Sequence, residues 1–398
     1  MPVDKRISQQ FDVIVVGAGL VGMSCALALR QSGLAVGLVE ARQQSMDPPT
    51  TDDRDWDSRI YAISPTNAEW LAAMGVWSRM VQNRVCPISQ MRIFGDSPEG
   101  RLRFDANEAC IENLGYIIEN RQLEYALSSA IKDAGVHLVM GQQSCAVEFH
   151  DRHTVLEFID GSQCEASLLI AADGANSWLR GQAGIGTISH DYHQLGVVAN
   201  FKIEKPHHGI AYQWFGDLGI LAWLPLPGNR MSMVWSAEES FARELLELSP
   251  ESLSEKVARQ GGMELGALHC ITPAKAFPLR QQTAGALVRP LLALVGDAAH
   301  TVHPLAGQGV NLGFEDARVL SETLAARRAM QSIGDWMLLR CYERARKRDV
   351  LEMQCVTRGL NALFEHSGDW TRRLRNLGLD LTDRQARLKK YLIHQAIR

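Results

Sequence analysis

The stretch FDVIVVGAGLVGMSCALALRQSGLAVGLVEAR, residues 11–42, decides the fold. It opens on an apolar run, Phe11 to Val16, of the kind that forms a strand buried on both faces. A glycine turn follows, then a helix from Leu20 to Ser32 rich in small residues, then a second strand from Ala35 to Val39 that ends at Glu40. That is one βαβ unit. Its turn reads Gly17, Ala18, Gly19, Leu20, Val21, Gly22, and an acid stands at the distance expected of a ribose-binding residue. Each glycine has its own reason. Gly17 permits the tight turn, Gly19 lets a pyrophosphate approach the backbone, and Gly22 lets helix and strand pack. The positive end of the helix then faces the phosphates, and Glu40 is placed to accept hydrogen bonds from a ribose. The expected ligand is a dinucleotide.

Composition limits what this unit can belong to. The chain has 398 residues, 46% hydrophobic and 22% charged, which suits a globular protein of interleaved domains. A net charge of −4 gives no general reason to expect nucleic acid. The cysteines, at 25, 86, 110, 145, 164, 270, 341 and 355, form no C-x-x-C and no cluster, so a reducing cytoplasm is expected. No window approaches the ~18 apolar residues of a spanning helix, and MPVDKRISQQ lacks an apolar signal core.

Further along, the acidic segment Thr50 to Asp57 reads as a loop. Arg59 and Arg121 open the elements SRIYAIS and ENRQLEYAL, and a surface ion pair is the ordinary fate of such arginines. In the second of these, Leu123, Ala126, Leu127, Ala130 and Ile131 share a helix face. Another apolar strand, Leu168 to Ala172, ends in Asp173-Gly174. From about Gly181 to Ala274, runs such as QLGVVANFKI, GIAYQWFGDLGILAWLPL and RMSMVWSA alternate with turns, which predicts a largely antiparallel sheet. Trp214, Phe215, Trp223 and Trp235 are candidates for an aromatic-lined face there, although a tryptophan taken singly is more often core. The final ~70 residues read as helical.

The other informative stretch is LVGDAAHTVHPLAGQGVNLG, residues 294–313. It follows the strand-like LLALV and precedes the helix-like NLGFEDARVLSETLAARR, so it falls beyond a strand's carboxyl end, where open α/β sheets bind ligands. Asp297 is a candidate partner for a cofactor hydroxyl. Gly307 and Gly309 let the backbone lie against a flat ring, and the next helix start stabilises negative charge. His300 and His303 have helical metal-ligand spacing, but Pro304 opposes a helix and no third ligand is suitably spaced. The histidines therefore serve either backbone groups of the loop or contact with cofactor or substrate.

Three motifs together, GAGLVG with Glu40, ADGANSWLR and GDAAHTVHPLAGQGVNLG, resemble the single-component FAD-dependent aromatic hydroxylases of the para-hydroxybenzoate hydroxylase fold. Within these the chain is most similar to the ubiquinone-biosynthesis hydroxylases that act on polyprenylated phenols. The resemblance implies an α/β protein with a Rossmann-like FAD-binding domain (1–85, 110–180 and 275–330). Interleaved with it would be an antiparallel-sheet substrate domain (86–109 and 181–274), followed by C-terminal helices (331–398). By position, Gly17, Ala18, Gly19, Leu20, Val21 and Gly22 would meet the FAD pyrophosphate and Glu40 the adenosine ribose. Arg59 and Arg121 would meet its phosphates or ribityl chain, Asp173 the pyrophosphate and nicotinamide path, and Asp297 the ribityl hydroxyls. Pro304, Gly307, Gly309, Val310 and Asn311 would lie along the isoalloxazine. His303 and Pro304 would neighbour flavin or substrate, with Trp214, Phe215, Leu221, Trp223 and Leu305 on the substrate.

The chemistry so implied belongs to the cofactor. NAD(P)H, a transient co-substrate, reduces FAD, O2 adds to give a flavin hydroperoxide, and one oxygen passes to an electron-rich ring. No serine or cysteine nucleophile is arranged for another route. Two alternatives stand beside this reading: a hydroxylase of a small soluble aromatic, and an FAD-dependent reductase of the same fold. A halogenase is disfavoured because LAWLPLP holds Trp223 alone. A long prenyl tail would need an apolar channel or a membrane-facing mouth. From Arg340 to Arg398 there are 14 Lys or Arg against 7 Asp or Glu, a net of +7 that leaves −11 for the rest of the chain. That asymmetry points to an anionic membrane surface or an acidic partner, or equally to a solvated helical face, and the resemblance implies a ubiquinone-biosynthesis complex as partner and a cytoplasmic enzyme peripheral to the inner membrane.

Overall fold

The computed structural model describes residues 7–43, 48, 55–95, 101–302 and 309–365. Four of the residues singled out above, His303, Pro304, Leu305 and Gly307, therefore lie outside the described residues, as do 50–54 of the acidic loop and the terminal stretch 366–398.

The opening βαβ unit forms as its pattern requires. Strand Ile7–Val16 lies between Val36–Glu40 and Gln163–Ala171, parallel to both, and Val13, Ile14 and Val15 are all fully buried, so both faces of the strand are covered. Parallel pairing continues outward to His137–Met140 on one side and Leu292–Leu294 on the other. Helix Leu20–Gln31 packs on this sheet with helix Asn120–Asp133, whose Leu123, Ala126, Leu127, Ala130 and Ile131 are all buried. A small antiparallel sheet, Ile60–Ile63 with Gly115–Glu119 and Cys86–Ile88, sits beside it.

The second large sheet is antiparallel through Thr187–Ile203, Arg230–Glu238, Gly219–Leu226 and Ile210–Gly216, then joins Gln90–Phe94 in parallel. The strand Lys275–Ala284, placed by sequence with the FAD-binding part, instead pairs along Thr187–Ile203 in this sheet. The hydrogen-bonding edge of that long strand is open to it, and alternation alone does not reveal which sheet a strand will join. Beyond it, His300–Thr301 pairs at the edge, so the chain leaving Leu294 in the parallel sheet reaches the antiparallel one within a few residues. Helix Gly309–Ala325 and the long helix Trp336–Glu365 follow.

Candidate functional site

Four neighbouring parallel strands end in a row, in the order Leu292–Leu294, Gln163–Ala171, Ile7–Val16, Val36–Glu40. Their carboxyl ends carry in turn Asp297, Asp173, the glycine turn and Glu40. At ~4.8 Å per strand the row spans roughly 14 Å, the reach of an elongated ligand lying across the sheet edge. Gly19, Arg59 and Asp297 are exposed along it, and Glu40, Asp173, Gly309 and Val310 are half-buried.

The glycine turn shows three separate constraints. Gly17 has φ +107°, and a Cβ on it would stand 2.3 Å from the Ala172 carbonyl oxygen. A Cβ on Gly22 would meet the Gly17 carbonyl oxygen at 1.9 Å, whereas one on Gly19 would meet nothing within 4 Å. Gly17 and Gly22 thus set packing, while Gly19 faces open space. As the helix N-cap, Gly19 also leaves the first N–H groups without a side-chain cap, a ready site for phosphate. Glu40 holds the turn as well as facing the cleft, its carboxylate accepting from the N–H groups of Ala18 (2.9 Å) and Arg42 (3.0 Å).

Asp173 accepts from the Leu179 N–H at 3.1 Å through Oδ2, while its Oδ1 is buried with no partner among the described residues. Its loop is clamped to the next one by Arg180, buried, which donates to the carbonyls of Ala175 (2.8 Å) and Ala298 (2.9 Å). Asp297 opens onto the cleft but stands deep in it. Loss of hydration there raises its pKa, opposed by the nearby charges of His300 and Arg59 and reinforced by Asp316. Residues of the described row therefore fit FAD: an uncapped helix start for pyrophosphate, carboxylates for sugar hydroxyls, and a buried Asp173 oxygen without a partner among the described residues.

Two of the residues expected at the cofactor also have partners within the protein. Arg121 is committed within the protein: its guanidinium pairs with Asp55 (2.9 Å to Oδ2, and the backbone oxygen) and with Glu119 (3.2 Å). Glu119, fully buried, also binds Arg84 at 2.6 Å, and Arg84 lies 4.0 Å over the Trp56 ring. Asn311 is likewise occupied. Its side chain accepts from Ser64 N–H (3.0 Å) and the Asn67 amide (3.1 Å) and donates to the Ala62 carbonyl (2.7 Å), pinning helix Gly309–Ala325 to the Ile60–Ile63 segment. Arg59 does reach the cleft, beside Asp297 and 5.5 Å over the Tyr61 ring.

The aromatic face is also corrected. Register puts Tyr212, Trp214, Leu221, Trp223 and Trp235 on one side of the antiparallel sheet. That side is covered by helices Glu239–Glu247 and Pro250–Gln260 as a closed core. Trp223 is 1% exposed and so tightly seated that a Cβ on Gly261 would overlap its ring at 2.1 Å. Leu221 and Trp223 are thus core, and Trp214 packs half-buried against them, because this side of the sheet is the one the helices cover. Phe215 alone of the named four points the other way. On that opposite face Val198, Ala222, Leu224 and Val234 are half-buried neighbours, with Gln213 and Ser236 beside them. This face turns toward the 55–62 segment: Ala211, Leu224 and Leu226 pack with Trp56, Ile60 and Ala62, and the Asn200 amide donates to the Asp57 carbonyl at 2.8 Å.

Sequence inspection missed Asp57, whose backbone and carboxylate meet Glu119, Arg59, Arg121 and Asn200 at once. It also missed Asp316, fully buried on the helix after the loop. A signal existed for the second. Between Phe314, Ala317 and Leu320, helical periodicity calls for an apolar residue, and an acid there announces a buried partner.

Comparison with known proteins agrees with this geometry. A family model described as "FAD binding domain" matches residues 10–356. The chain is 35% identical over 98% of its length to the 3-demethoxyubiquinol 3-hydroxylase of Escherichia coli, covering 99% of it. It is 32% identical over its full length to the ubiquinone hydroxylase UbiL of Rhodospirillum rubrum, covering 91% of that protein. Among solved structures, p-nitrophenol 4-monooxygenase from Pseudomonas putida shares the fold with a TM-score of 0.78 at 18% identity, 98% of each chain being covered. Klebsiella pneumoniae HpxO complexed with FAD does so with a TM-score of 0.76 at 20% identity, covering 97% of this chain and 99% of that one.

Proposed function

Because this chain belongs to the FAD-binding-domain family together with the ubiquinone hydroxylases, we propose that it is an FAD-dependent monooxygenase of ubiquinone biosynthesis. It hydroxylates the aromatic ring of a polyprenylated phenol, with NAD(P)H and O2 as co-substrates. The observation that carries this reading is the row of Asp297, Asp173, the glycine turn and Glu40 at the carboxyl ends of four neighbouring parallel strands. FAD, when bound, supplies the electron and oxygen chemistry.

The chain's own residues bind, orient and exclude water. The first N–H groups of helix Leu20–Gln31 hold pyrophosphate, Glu40 the ribose, and Asp297 and Arg59 the remainder of the cofactor near the start of helix Gly309–Ala325. Val198, Ala222, Leu224, Val234 and Phe215 present a flat apolar wall on which a ring can lie, with Gln213 to fix its orientation. Each CH2 of a tail removed from water contributes about 0.8 kcal/mol, so a prenylated ring outcompetes a bare one where the wall continues to the surface. We further propose peripheral attachment to an anionic membrane. No helix among the described residues is long and apolar enough to cross a bilayer, but Met330, Trp336 and Met337 are exposed near Arg340 and Arg344.

The test is incorporation of labelled dioxygen. FAD-loaded protein with NAD(P)H should hydroxylate a polyprenylated phenol with one labelled oxygen and turn over a tail-free phenol far more slowly. Peroxide as the sole product with every prenylphenol, or preference for short soluble phenols, would defeat the assignment. Equal and negligible flotation with anionic and neutral liposomes would remove the membrane attachment.

A further inference from the structure

Beneath the loop that carries Asp297 lies a fully buried charge cluster that takes no direct part in the cleft. We propose that Asp316 and His300 are positioning residues that set Asp297 and the start of helix Gly309–Ala325 against the cofactor, an inference resting on the reading of the cleft as the FAD site. Asp316 is two turns into that helix, with no exposed surface. Its Oδ2 accepts from the Gly296 N–H at 2.9 Å and stands 2.7 Å from His300 Nε2. Its Oδ1 accepts from Arg346 Nε at 2.7 Å.

The carboxylate thus holds Gly296 by a hydrogen bond and stands in close contact with His300, and these two residues are the ends of the turn whose second residue is Asp297. The turn cannot settle elsewhere without loss. Gly296 has φ +60°, and a Cβ there would press on Val21 at 3.1 Å, while one on Gly313 would overlap Val21 at 2.4 Å. The turn, the glycine-motif helix and the flavin-side helix therefore meet at one side chain. Arg346, from the last helix, neutralises the acid and donates to the Leu312 carbonyl at 3.3 Å, so the same cation steadies the helix that bears the grip. Were stability the sole demand, a well-packed apolar residue would serve as well as this pair. A carboxylate hydrogen-bonded to one end of a functional turn and packed against the other instead fixes where that turn points.

The protein should be stripped of FAD and titrated back, following flavin fluorescence and the visible absorption bands, alongside thermal melting of the apoprotein. Asp316→Asn should raise the FAD Kd about tenfold, as expected for weakening one charge-assisted contact at a cofactor-bearing turn. His300→Gln should raise it about threefold and shift the flavin bands, with the apoprotein melting as wild type does. If Asp316→Asn does not fold, His300→Gln decides alone. Wild-type Kd and unchanged bands in a folded variant would overturn the proposal. So would a His300→Gln variant whose affinity falls only in step with apoprotein stability, since that marks a merely structural pair. Failure of the wild-type chain to bind FAD would instead sink the reading of the cleft.

Discussion

In the parallel sheet, Gly17, Gly22 and Gly296 permit one arrangement, because a methyl group on Gly17 or Gly22 would enter a backbone oxygen and one on Gly296 would press on Val21. In the antiparallel sheet, one face of Ile210–Gly216, Gly219–Leu226 and Arg230–Glu238 carries the tryptophans while the other mixes Phe215, Ala222, Leu224 and Val234 with Gln213, Ser232 and Ser236, and either set of side chains is chemically able to line a cleft. The helices that cover one face come later in the chain, at Glu239–Glu247 and Pro250–Gln260, and take the side where the tryptophans stand. Site geometry is thus written locally where backbones touch and decided non-locally where a sheet has two usable faces.

The strongest way to break that contrast is at Gly22. Gly22→Val should abolish FAD retention and folding to a soluble product, because the clash at 1.9 Å is with backbone and has no rotamer to relieve it. Soluble yield and the visible spectrum check this. A soluble yellow variant would show the turn to be more forgiving than its geometry.

Next in size is Trp223→Ala. Emptying a 1%-exposed tryptophan site should cost about 3–5 kcal/mol of stability and leave KM for the phenol within a factor of about two. Urea unfolding and steady-state kinetics separate the two faces. A variant with normal stability and a collapsed KM would return Trp223 to the substrate.

These outcomes bear on what was legible from residues alone. The βαβ unit and the strand-end positions of Asp173 and Asp297 were readable because each stands beside a glycine whose steric reason is local. Arg121 and Asn311 also carry protein contacts that the sequence does not announce, because an arginine or asparagine near a cleft has the same appearance whether it binds a ligand, a neighbour or both. Asp55 and Glu119 claim the first, and Ser64, Asn67 and Ala62 the second. Arg346 was hidden for the opposite reason: in ERARKR it is one cation among exposed ones, and its burial follows from the tertiary packing of helix Trp336–Glu365 beside Asp316.

On the cleft side, Asp297→Ala should lose about 1.5–3 kcal/mol of FAD binding, the usual range for a hydrogen bond to a charged group, so that FAD leaks during purification. Full retention would place the carboxylate away from the cofactor. Val234→Phe should raise KM for the prenylated phenol about tenfold with little change in apoprotein melting, since the added ring fills half-open space and not core. Unchanged KM would mean that the apolar wall is not where the ring lies.

The smallest effect is the most specific, and concerns Asp297 before the cofactor arrives. Burial in the cleft raises its pKa against the pull of His300 and Arg59, so the folded apoprotein binds this proton more tightly than the unfolded chain. The sign follows from linkage. Below the ordinary carboxylate range both states are protonated and no penalty exists. As pH rises through that range and past the raised native value, the unfolded chain ionises more readily and the apoprotein is destabilised. Asp297→Asn removes this penalty without changing shape, so the variant apoprotein should melt higher at pH 7, on the order of 1 °C, and the difference should vanish as pH falls below the carboxylate range. Saturating FAD should reverse the order, the wild type then melting higher, because the cofactor rewards the charge that the empty cleft penalises. Melting curves of both proteins, with and without FAD at several pH values, test this. A gap independent of pH would show that Asp297 acts through packing alone.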